Sequence, residues 1–154
     1  MGTKPKIKIK DCTQIRREID NEYENTNQVA LAKWAIVCAK HISQFLDEEN
    51  LDFKEIEEGF KVNELWQYGK AAVHEVGRLA LLYMGSLDNV TELAKNAVRA
   101  AGQAVAVGHM REHAMVCSDY VIKTIGLAFS DDLNRIREER MWQLNEIRKL
   151  KNRA

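Results

Sequence analysis

The chain has little cysteine, almost no proline, few glycines and no excess of charge of either sign. Its three cysteines, Cys12, Cys38 and Cys117, are odd in number and widely spaced. That excludes the disulfide framework of a small secreted domain. Cys38 and Cys117 sit among apolar residues and read as small hydrophobes in a reducing compartment. The one proline is Pro5 and there are eight glycines, so long stretches are free to form helix. The 23 basic and 23 acidic residues cancel. A general nucleic-acid binder carries a basic footprint, so no nucleic acid is expected as partner. No apolar run approaches the length of a bilayer span, and no secretory leader is expected. Lys6 stands where a myristoylation signal needs Ser or Thr. The chain therefore reads as cytoplasmic, without a membrane partner. It has no glycine-rich phosphate loop, no nucleophile motif and no internal repeat, and no cofactor is expected.

What is present is helical periodicity. With 154 residues the chain makes one domain. A domain of about this length buries roughly 68–70% of its unfolded surface and needs neither metal nor disulfide. The pattern predicts an all-α fold, a single-domain bundle of about five to seven helices over residues 11–150. Residues 1–10, with Lys4, Lys6, Lys8 and Lys10, read as a flexible basic tail. KIKIK alternates like a strand there, but a lone short strand has nothing to pair with.

A first helix is predicted over about 11–24, then a second over 28–46 with Thr26 or Asn27 as its cap. The second is apolar on most sides, which places it in the middle of a bundle. A segment from Phe53 to Gly59 precedes a helix predicted over 63–83. MGSLDN at 84–89 reads as a turn, with Asp88 as the next cap. Residues 90–107 have the cleanest period. Leu93, Ala94, Ala97, Val98, Ala101, Ala104 and Val105 share one side; Glu92, Lys95, Asn96, Arg99 and Gln103 share the other. The phase shifts near Gly108, so a break is predicted at 107–109. Ser130-Asp131-Asp132 is predicted to cap a last helix over 131–149.

Four features carry chemistry. His109-x-x-Glu112-His113 matches the inverted zincin pattern, and i, i+4 spacing on a helix points two imidazoles at one ion. A zinc site needs at least one further protein ligand, and neither His41 nor His74 is forced near. The pair reads either as half-buried and hydrogen-bonded across the bundle, or as a metal site of His109, His113 and Glu112. Arg140 falls on the apolar stripe Leu133, Ile136, Leu144, Ile147, where a guanidinium must find a carboxylate or carbonyls. Trp142 projects to the other side of that helix, as a covered residue or as an anchor for a partner. Asp47, Glu48, Glu49, Asp52, Glu55, Glu57 and Glu58 crowd one turn with only Lys54 among them. Such a run is a solvated face, or an electronegative patch that meets a basic partner.

Three blocks bear a family likeness: LAKWAIVCAKHI at 31–42, VRAAGQAVAVGHMREHAM at 98–115 and EERMWQL at 138–144. Together, in this order and at this spacing, they resemble the signature blocks of the Imm-5-like immunity proteins of bacterial polymorphic toxin systems, over about 26–148. The marked positions of that family fall here on Trp34, Ala35, Cys38, Arg99, Gly102, His109, His113, Arg140, Trp142 and Gln143. One departure is Gln103, where the family often has a histidine; a three-histidine cluster would lack that ligand here. The resemblance implies a non-enzymatic protein that binds a cognate toxin in the cytoplasm and neutralises it. Asp47, Glu48, Glu49, Asp52, Glu55, Glu58 and Trp142 are then the candidate partner-binding residues. The alternative is a metal-dependent helical enzyme or metal-binding protein built on His109 and His113. A homodimer is compatible with the first reading.

Overall fold

A computed structural model describes residues 2–47, 54–71 and 90–152. Seven helices lie among them: α1 (Thr13–Glu24), α2 (Gln28–His41), the single turn α3 (Gln44–Asp47), α4 (Lys54–Gln67), α5 (Glu92–Ala106), α6 (His113–Ala128) and α7 (Leu133–Asn152). No strand occurs among the described residues.

Helix α2 is the axis. Its apolar surround lets it pack on α4, α5, α6 and α7 at once. Leu31, Ala32, Trp34, Ala35 and Cys38 are fully buried there. Asn27 starts it: its side-chain oxygen accepts from the Ala30 amide at 2.9 Å. The helix stops earlier than its apolar run. The backbone tightens at Ile42 and resumes as α3, so the predicted 28–46 helix is two elements.

Two other boundaries differ from the sequence reading. Helix α4 runs unbroken from Lys54 to Gln67, so the predicted 53–59 segment and the start of the helix predicted from 63 are one element, and the chain turns at Gly69. There the Lys70 amide donates to the Leu65 carbonyl at 2.8 Å, and Gly69 takes φ 73, a conformation that favours glycine. The rest of the predicted 63–83 helix, the 84–89 turn and Asp88 lie outside the described residues. The cap of α5 is Thr91, whose hydroxyl accepts from the Ala94 amide.

Of the side of α5 predicted to be wet, Glu92 is exposed and Lys95 and Arg99 are half-exposed, but two residues are not. The helix packs on α2, α3, α4 and α6, so Asn96 and Gln103, assigned by period to the wet face, are buried. Each keeps a partner. Asn96 donates to the Glu92 carbonyl at 2.7 Å, and Gln103 faces His113. Buried Asn63 of α4 closes the far end of α5, donating to the carbonyls of Ala104 and Val105 at 3.2 and 2.8 Å. The predicted break appears as an irregular turn over 107–112. Of Ser130-Asp131-Asp132, only Asp132 caps α7, accepting from the Asn134 amide at 2.9 Å; Ser130 and Asp131 have φ 51 and 59 and finish α6.

Residues 2–10 have no helix or strand and lie along α1 and α6. Thr3 donates through its backbone and its hydroxyl to the Asp20 carboxylate, and Lys123 donates to the Lys8 carbonyl at 3.2 Å.

Candidate functional site

The polar centre of the molecule is built on Arg140. Apolar spacing puts this residue on the core face of α7 between Ile136 and Leu144, and its exposure is zero. Its guanidinium makes a two-pronged contact with Asp11, Nε and Nη2 each 2.8 Å from a carboxylate oxygen. Nη2 also donates to Asp119 at 2.7 Å, and Nη1 donates to Gln143 Oε1 at 3.0 Å and Ser118 Oγ at 3.3 Å. Asp119 then accepts a second fork, from Arg16 Nε and Nη2 at 2.9 and 3.0 Å. Arg16 spends its remaining donors on Thr3, on the carbonyl at 2.9 Å and the hydroxyl at 3.1 Å. On the other side, Gln143 donates to the Ser118 carbonyl, and its own carbonyl accepts from Trp34 Nε1 at 2.9 Å.

Two guanidiniums and two carboxylates therefore sit side by side with their charges balanced. Burial alone would pull Arg140 down, but hydrogen bonds and charge from Asp11 and Asp119 outweigh it and hold the group above its ordinary value. Among the described residues, no buried side-chain nitrogen or oxygen lacks a hydrogen-bond partner. Such a network fastens α1, α2, α6 and α7 together; breaking it leaves an unpaired buried charge. Periodicity led to Arg140 but not to its partners. Asp119 had one visible signal, as the single carboxylate of α6; Asp11 and Arg16 had none.

A second cluster lies at the surface. His41 and Trp142 stack with ring centroids 3.6 Å apart and 12° from parallel. His41 Nδ1 is 2.6 Å from Glu139 Oε1. Burial pushes the Glu139 carboxyl up, against the pull of His41 and Arg140. Trp142 is thus half-covered, and with Phe45, Phe129, Arg135 and Glu138 it lines a cleft of about 270 Å³.

The two candidate metal-binding histidines are not carried on one helix. Helix α6 begins only at His113, and His109 lies in the preceding turn, so they do not share a helical face. His109 and Glu112 are exposed. His113 is half-buried, and its Nδ1 is 2.6 Å from Gln103 Oε1. Because an amide oxygen only accepts, Nδ1 carries the proton. Burial, with the charges of His109 and Lys6, holds His113 below its ordinary value. Among the described residues, no group of three or more His, Cys, Asp or Glu is arranged to hold a metal ion. Gln103, at the position of the family's histidine, is itself the partner of His113.

The remaining marked residues are scattered. Trp34, Ala35 and Cys38 are buried on α2, Gly102 is buried and Arg99 half-buried on α5. Of the acidic run, Glu57 and Glu58 are exposed on α4. Glu48, Glu49 and Asp52 lie outside the described residues, as do the side chains of Asp47 and Glu55.

The site thus defines a class: a helical bundle whose inner polar groups are engaged with one another. The family model described as "Imm-5 like putative immunity protein" matches residues 21–150, and the chain belongs to that family. The match takes in all three signature blocks. No curated protein and no solved structure is significantly similar to the chain. No described helix is long and apolar enough to cross a membrane.

Proposed function

We propose that this protein is a non-enzymatic inhibitor that binds a cognate bacterial toxin domain in the cytoplasm and blocks it. The observation that carries the reading is membership of the immunity-protein family over residues 21–150. The buried ion network supports it: a bundle cross-tied by Arg16, Arg140, Asp11 and Asp119 presents a firm face for recognition. The partner face we assign to the acidic run, Asp47, Glu48, Glu49, Asp52, Glu55 and Glu58, with Trp142 as an aromatic anchor. A toxin with a basic catalytic cleft complements such a run, and charge complementarity speeds encounter.

The test is co-expression with the toxin encoded beside this gene. Rescue of growth and a co-purifying complex are expected. Glu58→Lys should slow association and weaken its salt dependence. Absence of both rescue and complex overturns the reading.

A further inference from the structure

We propose that residues 2–11 form a strap, a releasable latch that seats α7 by completing the ion network around Arg140 and Arg16. The argument is one of charge. Within the helices, Arg140 and Arg16 both donate to Asp119, and all three side chains are at most 7% exposed. The second carboxylate, Asp11, comes from the segment before α1, and it takes both prongs of Arg140. The remaining donors of Arg16 are taken by Thr3. Thr3 is in turn held by Asp20, about one turn beyond Arg16 on α1.

Undocking the segment takes both prongs of Asp11 from Arg140 and the Thr3 contacts from Arg16. A guanidinium seated in the core that loses its two-pronged carboxylate is costly. The cost falls on α7, which carries Arg140 as a fully buried charge. Trp142, two residues on, stacks on His41, so release of the strap also loosens the cleft that these rings line. The strap lies wholly before residue 21, where the family match begins. The inference is independent of any toxin partner.

Lysines decide the test. Lys6, Lys8 and Lys10 are exposed, so trypsin reports whether their backbone is held. The intact protein should be cut at these sites about tenfold more slowly, or slower still, than a synthetic peptide of residues 1–12, because cleavage requires local opening. Asp11→Asn and Thr3→Val should each speed that cleavage several-fold. Thr3→Val removes no charge and keeps the test open if Asp11→Asn fails to fold. Cleavage of the intact protein at the peptide's rate overturns the proposal. So does cleavage unchanged by both substitutions, or an unchanged Tm after deletion of residues 2–11.

Discussion

The imidazole of His41 lies flat against the indole of Trp142, 3.6 Å between ring centres, and its Nδ1 meets the carboxylate of Glu139 at 2.6 Å. The end of α2 is thereby tied to the middle of α7 through a half-exposed pair. The Glu139 carboxyl is held above its ordinary value because burial outweighs its partners. A group raised in the fold lends stability below its ordinary value and loses it as pH rises through the folded one. At pH 8 the charged Glu139 is therefore a cost. Glu139→Gln keeps an acceptor for His41 and removes the charge, so its Tm at pH 8 should exceed that of the parent, with the gain shrinking as pH falls from the folded value towards 4.5. A lower Tm at pH 8 would show that the contact with His41 outweighs burial.

His113 has the opposite sign. Its folded value lies below the ordinary 6.5, chiefly through burial. The unfolded chain takes up this proton first, so stability is complete above about 6.5 and is lost as pH falls below it. Chemical denaturation at pH 7.5 and 5.5 should show a smaller loss for His113→Gln than for the parent. Equal losses would mean that the ring is freely solvated.

Arg140→Ala should destabilise the protein by about 3–5 kcal/mol, since it leaves buried Asp11 and Asp119 without their shared partner. Arg140→Lys should recover little, because an ammonium lacks the planar fork that grips Asp11 at two points. Denaturant melts check both, and a Tm equal to the parent's in Arg140→Ala would contradict the buried network.

Thiol reactivity should single out Cys12. Cys38 and Cys117 are completely buried, and burial holds both thiols well above their ordinary values, whereas Cys12 is partly exposed. A disulfide reagent should label one thiol rapidly in the native protein and three after denaturation. Rapid labelling of two or more native thiols would mean that α2 or α6 opens readily.

Asn27→Ala should cost roughly 0.5–2 kcal/mol by freeing the Ala30 amide at the start of α2. Asn27→Ser should restore most of that stability. Identical melts for all three would show that water caps the helix equally well.

Period and caps locate most helices. Ile15 and Ile19, most of the apolar length of α2, the face Ala94, Ala97, Ala101, Ala104 and Ile136, Arg140, Leu144 and Ile147 of the last stripe are buried as spaced, whereas Leu133, at the first turn of α7, is exposed. They are legible because a helix repeats its core face every three to four residues. Asn96 and Gln103 were illegible for a converse reason. A polar residue reads as solvated unless its neighbours are known, and α5 is enclosed by four other helices. His109 and His113 show the third kind of limit. Spacing gives a shared face only inside one helix, and the turn at 107–112 separates them.

The sequence by itself determined that the chain is helical, which faces turn inward, and that Arg140 must meet anions in the core, since a buried unpaired guanidinium is too costly. Only the tertiary structure decided which anions. Asp11 lies 129 positions away and Asp119 lies 21 away. No local period links such positions, because their meeting depends on how α1, α6 and α7 cross and on the course of residues 2–11 along them.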